Sequence, residues 1–266
     1  MKPTEKLMLQ TIVFLAAIHM MGIAPIIAGE LSIYGKSGYF SLTETNDGQR
    51  YVSEGGFIYG AGASYSLEFA RYFTAQGTLE AFYGKVDYEG VKLSDQSHMN
   101  SDTEYTGTKQ EVALGARIPF GSFSIGPVAG FGHKWFNRSR SDELWSYIFA
   151  KGGAYAEYKG DGFTISVEGG AMKQLDTSVN IDWTYLGVGK LTCKPKGKIN
   201  PYTEFKIKKG SWLAAFFYEE ANWGRSDNVP ISMTQTNQSG AVIVNGQAFQ
   251  PDTRSSMVGL KISYNF

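Results

Sequence analysis

Cysteine is almost missing from this chain: one, Cys193, in 266 residues. That excludes an intramolecular disulfide framework, and no spaced Cys/His cluster suggests zinc. Histidine is nearly as scarce, and His98 and His133 alone lie beyond residue 28. Net charge is absent too. The 25 basic and 25 acidic residues cancel, which argues against a nucleic-acid binder. Beyond residue 28 there is no run of about 18 apolar residues, so no transmembrane helix is expected. Glycine and aromatics are what abound. The 32 Gly, 17 Phe, 16 Tyr and 5 Trp exceed ordinary usage and suit a β-protein.

Residues 1–28 do not read as folded structure. Lys2 and Lys6 supply a positive start, residues 11–27 an apolar stretch, and Ala28 and Gly29 small residues for cleavage. The pattern predicts a secretory signal peptide over 1–28, with the folded domain over 29–266 and a mature start at Gly29 or Glu30. No lipid-anchoring cysteine lies near the cleavage point.

From the last residue backwards, Phe266, Tyr264, Ile262, Leu260 and Val258 alternate with Asn265, Ser263, Lys261 and Gly259. Period-two alternation places the first set on one face of a strand and the second on the other. The same pattern recurs along the chain. Phe57 to Phe69 alternates with Ile58 to Glu68, Gly77 to Tyr83 with Gln76 to Glu80, and Val112 to Ile118 with Glu111 to Arg117. Later strands repeat it from Phe123, Phe163, Phe205 and Trp212, with another near Trp145 to Tyr158 and an initial one, of ambiguous register, over Glu30 to Leu42. Short turns fall at residues 70–72, 119–122, 159–162 and 208–211. Longer polar connections fall at 43–55, 89–106, 137–143, 176–198 and 224–253. The count is about ten strands, with eight as the alternative.

The aromatic ending of the chain resembles the C-terminal signature of bacterial outer-membrane β-barrels. The architecture is similar to the small OmpA/OmpX and opacity-type families. That resemblance implies an antiparallel transmembrane barrel with short periplasmic turns and long extracellular loops. It implies outer-membrane lipid and lipopolysaccharide as surroundings, the barrel assembly machinery as a partner, and room for an extracellular partner at the loops. Strands of about 10–13 residues suit a tilted crossing, and only a closed barrel pairs every backbone group in lipid. Aromatics at both strand ends read as interfacial girdles. Phe69, Tyr72, Phe73, Phe120, Phe123, Phe163, Trp212, Tyr264 and Phe266 lie near the short turns. Tyr59, Tyr83, Trp135, Trp145, Tyr147 and Tyr218 lie near the loops.

The polar faces would line the lumen. The expected charge network is Glu80, Glu111, Arg117, Glu168, Glu204, Lys206, Glu219 and Lys261. Glu219 would pair with Lys261 and Arg117 with Glu80. Acids would outnumber bases, leaving wet carboxylates and a narrow route for cations. Lys194, Lys196 and Lys198 form a basic cluster that suits lipopolysaccharide phosphates. Residues 241–249 hold Asn245-Gly246 between apolar runs, a hairpin signal with an edge that another strand could join.

Catalysis is not expected. Ten-stranded omptin proteases pair a histidine with an acid, and neither His98 nor His133 has an acid two residues away. Barrel phospholipases and lipid A deacylases place His and Ser two apart on one strand, which is also missing. No cofactor or metal is expected. The primary expectation is a non-catalytic barrel with a surface-interaction or envelope-structural role. A narrow pore for small solutes or cations is second, and a surface hydrolase of omptin-like architecture third.

Overall fold

The computed structural model describes residues 28–69, 72–91, 97–184, 187–237 and 240–266. The expected signal segment lies outside them except for Ala28, and so do residues 70–71 of the first short turn. The strands are β1 (Ala28–Asn46), β2 (Gln49–Phe69), β3 (Phe73–Val91), β4 (His98–Ala116), β5 (Ile118–Phe120), β6 (Phe123–Arg138), β7 (Glu143–Lys159), β8 (Thr164–Trp183), β9 (Gly189–Cys193), β10 (Lys196–Gly197), β11 (Ile199–Lys209), β12 (Trp212–Gly224), β13 (Val229–Asn237), β14 (Gly240–Ala248) and β15 (Asp252–Asn265). No helix among the described residues is long and apolar enough to cross a membrane.

These strands build a closed ten-stranded antiparallel barrel. β5 continues β4 past Arg117 and pairs with β6, while β9, β10 and β11 follow one another as a single wall strand between β8 and β12. β15 pairs with β12 on one side and β1 on the other, which closes the cylinder. β13 and β14 pair only with each other and form a hairpin outside the wall. The count of ten stands, one pair above the eight strands of OmpA/OmpX-type barrels.

Outward-facing Leu31, Phe57, Tyr59, Phe73, Leu114, Phe131, Phe216, Leu260 and Phe266 are exposed and form the lipid belt. Val258, Ile262 and Tyr264 of the C-terminal signature share that face. The register of β1, ambiguous in sequence, is set by its pairing. Ile33 and Tyr39 face out, while Tyr34, Leu42 and Glu44 are buried inside.

The polarity of the wall inverts partway up. In β3, Phe73, Ala75, Leu79 and Tyr83 face out and Glu80 faces in. Above Tyr83 the outward set becomes Lys85, Asp87 and Glu89, and the inward set Val86 and Tyr88. β4 mirrors this, with Asp102 and Glu104 outside and Tyr105 inside. The physical reason is the solvent around the cylinder. Lipid surrounds the lower wall and water the upper wall, so the apolar face changes sides while the period of two persists.

This inversion corrects the expected loops. Residues 43–55, 89–106 and 176–198 are largely paired strand, and the barrel rises above the membrane as a wall. β1 turns into β2 at Asp47-Gly48, with φ of 50° and 80°, the left-handed pair that a tight hairpin turn requires. A short 3-10 turn, Ser139–Ser141, joins β6 to β7. Asn245-Gly246 is not a turn. It lies within β14 opposite Ser232 and Ile231, and the hairpin reverses between Asn237 and Gly240. Trp145 and Tyr147 are not girdle residues either. Both lie above the belt, where the apolar face is the inner one, and both are buried inside.

The register makes a sharp test. Leu260→Arg puts a charge in the lipid belt and should cost about 2–4 kcal/mol near the midplane. Lys261→Gln should be mild, because its partner Glu204 keeps Lys206 at 2.8 Å. Reversible unfolding in lipid vesicles measures both, and equal losses would mean the assigned faces are wrong.

Candidate functional site

The inward residues of the lower wall form one connected ionic chain. Lys134 reaches Glu219 at 3.7 Å, and Glu219 holds Lys109 at 2.8 Å. Lys109 meets Glu111 at 3.4 Å, and Glu111 meets Lys151 at 2.5 Å. Lys151 meets Glu168 at 3.1 Å, Glu168 meets Lys206 at 3.7 Å, and Lys206 meets Glu204 at 2.8 Å. Glu204 ends the chain on Lys261. Signs alternate throughout, and the Lys109–Glu219 link joins β4 to β12 across the lumen. Lys36 and Glu80 form a separate pair at 2.5 Å.

All eight expected network residues face the lumen, but two expected pairings do not form. Lys261 takes Glu204 rather than Glu219, because β15 sets Ala215 opposite Lys261 and Met257 opposite Glu219. Arg117 pairs with Glu68 at 2.6 Å and Glu157 at 3.6 Å at the periplasmic end, far along the strands from Glu80. The charge balance is also corrected. Lys36, Lys109, Lys134 and Lys151 join Lys206 and Lys261 against Glu80, Glu111, Glu168, Glu204 and Glu219, so acids do not outnumber bases in mid-lumen. Parity alone could have found Lys109, two residues from Glu111, and Lys134, next to outward His133.

The lysines are also fixed by rings. Lys36 lies 5.3 Å from the Phe217 centroid, Lys134 5.2 Å from Phe82, and Lys151 5.1 Å from Tyr202, within cation–π range. A polar cavity of about 130 Å³ remains among Lys36, Glu80, Lys109 and Glu204, room for a few waters.

Above the ions lies an aromatic septum. Phe136 stacks on Trp145 with centroids 5.7 Å apart, Trp145 packs on Trp223 at 5.0 Å, and Tyr147 meets Trp223 edge-on at 5.4 Å. Tyr105, Phe149, Val179 and Ile181 complete a continuous buried cluster. Trp223 donates its ring N–H to Thr177 Oγ1 at 3.1 Å, so the one polar group of this side chain is satisfied.

Higher still, beyond the lipid belt, three carboxylates converge on one guanidinium. Arg138, 1% exposed, donates to Glu54 at 2.6 Å, Glu44 at 2.7 Å and Glu143 at 3.0 Å. Tyr105 donates to Glu54, Trp145 Nε1 to Glu143 at 2.7 Å, and Gln250 Nε2 to Glu44 at 3.0 Å. Burial, reinforced by Glu143 and Glu54 and opposed by Arg138, pushes the Glu44 carboxyl up to about 7. Sequence reading missed this cluster, because its members lay in stretches taken for loops. The alternation of Glu44 with outward Thr43 and Thr45 was the available signal.

The remaining expected residues are placed as follows. Lys194, Lys196 and Lys198 are exposed at the extracellular end, with Asp227 3.3 Å from Lys196 and Asp252 3.1 Å from Lys198. His133 faces outward, with Nε2 2.9 Å from Ser146 Oγ. His98 opens β4 opposite Val91 rather than sitting in a loop. Cys193 is buried within the aromatic cluster, and burial pushes its thiol up.

No protein-family model matches the chain, and no curated protein matches it. Solved structures do. The outer membrane protease OmpT from Escherichia coli is similar with a TM-score of 0.55 at 10% identity, over 90% of this chain and 96% of that one. The transport unit of the autotransporter AIDA-I from Escherichia coli matches with a TM-score of 0.44 at 12% identity, over 96% and 97% of the two chains. The outer membrane protein OprG from Pseudomonas aeruginosa matches with a TM-score of 0.38 at 15% identity, over 90% and 96%. The likeness to OmpT is one of fold, that of the bacterial outer-membrane β-barrel.

Arg138 supports three buried acids, so its loss should be severe. Arg138→Met leaves uncompensated buried charge and should cost about 3–5 kcal/mol. Arg138→Lys should recover part of that, since a point charge cannot reproduce the planar fork. Urea unfolding from vesicles checks the order, and a wild-type midpoint for Arg138→Met would refute the assignment.

Proposed function

We propose that this chain is a sealed, non-catalytic outer-membrane barrel that acts through its surfaces, with an envelope-structural or surface-interaction role. The observation that carries this reading is the double closure of the lumen. The ionic chain from Lys134 to Lys261 crosses the lower half, and the Phe136–Trp145–Trp223 stack fills the level above it. Ten strands leave little width beyond what side chains fill. The surface left for interaction is the wall above the belt, where Lys85, Asp87, Glu89, Asp102 and Glu104 face water.

The non-catalytic part of the reading draws support from chemistry. His133 bonds to Ser146 on the outer face rather than to an acid. The structurally similar OmpT is a protease, but a likeness of fold carries no activity with it. Exposed Lys194, Lys196 and Lys198 suit contact with lipopolysaccharide phosphates, in competition with Asp227 and Asp252. A narrow pore is the second reading. Two cavities favour it, one of about 130 Å³ in the ionic belt and one of about 40 Å³ beside the septum. Six mid-lumen lysines against five glutamates leave that belt without the excess of acid that would select cations there.

Planar-bilayer recording separates the two. The purified barrel should give no steady conductance at neutral pH. Persistent porin-like steps would overturn the sealed reading and put the pore first.

A further inference from the structure

The hairpin β13–β14 stands on two legs, residues 225–228 and 249–251, which lie across the extracellular mouth. The legs are stitched together, with Ser226 N donating to Gln250 O at 3.0 Å and Gln250 N to Ser226 Oγ at 2.9 Å. Buried Ala248 and half-buried Val229 and Ile231 rest on the aromatic cluster. Gln250 is 2% exposed, and its side-chain amide donates to Glu44 on β1. Among the described residues, further side-chain ties of the legs to the wall are Arg225 to Asn46 at 3.3 Å and the exposed pair Lys196–Asp227, both weak beside a buried contact, and the buried contact of Cys193 on β9 with Ser226 and Gln250.

We propose that Glu44 is a proton-held latch on the extracellular mouth: neutral, it keeps Gln250 and both hairpin legs seated, and its ionisation lets them lift.

The argument rests on what faces Glu44. Among the described residues, Arg138 of β6 is the cation paired with it. Glu54 of β2 and Glu143 of β7 compete for the same guanidinium. Tyr105 of β4 donates to Glu54, and the Tyr88 ring of β3 lies 6.0 Å from Arg138. Across the strand pair on β15 stands neutral Thr253. With all three carboxylates ionised, two negative charges remain in a dry pocket, and the cheapest relief is to admit water. On the mouth side of Glu44 the cover is Gln250, carried on a leg that the barrel ladder does not hold. The shift of Glu44 to about 7 agrees with this geometry. Its sign follows from linkage. The seated state binds the proton more tightly than the lifted state, so seating is favoured in acid and lost as pH rises through about 7. The proposal goes beyond the sealed-lumen reading, since the septum residues Trp145 and Trp223 are carried by the wall strands β7 and β12 and not by the legs.

The chain carries its own reporter. Cys193, the single cysteine, is buried beside Ser226 and Gln250. N-ethylmaleimide labelling of the refolded, full-length barrel would be timed at about pH 5.5 and about pH 8.5. Each rate is divided by that of the urea-unfolded protein at the same pH, which cancels the ionisation of the thiol. The wild-type ratio should rise by at least about tenfold at the higher pH, the factor that one unit of differential ionisation supplies. Glu44→Gln should stay slow at both values, and Gln250→Ala fast at both. A flat wild-type ratio, or a Glu44→Gln variant that rises like wild type, would overturn the latch. If Glu44→Gln does not fold, Gln250→Ala decides, and a pH rise in it equal to that of wild type would refute the proposal.

Discussion

Every backbone N–H and C=O in lipid needs a partner within the protein, and the rest of this structure depends on that demand. Each unmet group costs several kcal/mol in hydrocarbon, so the sheet has no stable open edge and closes at β1 and β15. Closure then divides every wall residue between two environments. Outside, lipid gives way to water above Tyr59 and Tyr83. Inside, the filling responds, with glutamates and lysines below and aromatics above. One alternating chain serves both levels because only the identity of the two residue sets changes.

The ionic filling is better understood as a register key than as a source of stability. Buried ion pairs repay desolvation poorly, and an apolar filling of equal shape often does as well. What the ions supply is a penalty for error. A one-residue slip of a strand turns its whole inner face outward. Lys36, Lys109, Lys134, Lys151, Lys206 and Lys261 would then meet lipid, at about 2–4 kcal/mol each near the midplane. Alternation of sign adds a second constraint, since each glutamate in the chain sits between lysines.

Arg138 plays a comparable part in the upper wall, with contacts that cross far in sequence. Glu44 and Glu54 approach it from the first hairpin, Glu143 from the strand that follows, and Gln250 adds the mouth hairpin through Glu44. One guanidinium thus gathers the start, middle and end of the chain. The excess of acid there is tolerated because tyrosine, tryptophan and amide groups donate to the carboxylates, and burial raises the Glu44 carboxyl above its ordinary value.

The sequence by itself determined the barrel, its lipid face and much of its ionic lining, because these depend on a period of two and on the length of a membrane crossing. Val258 to Phe266 and Glu80, Glu111, Glu168, Glu204 and Glu219 could be assigned to faces from parity alone. The periodic reading stopped where hydrophobicity changed sides, so Asp102-Thr103-Glu104-Tyr105 passed for loop and Trp145 for an interfacial residue. Only the tertiary structure decided which lysine meets which glutamate, since the stagger between strands is a property of the closed cylinder. It alone also brought Glu44, Glu54, Glu143 and Arg138 together, because no local pattern records which hairpins share the inside of a wall.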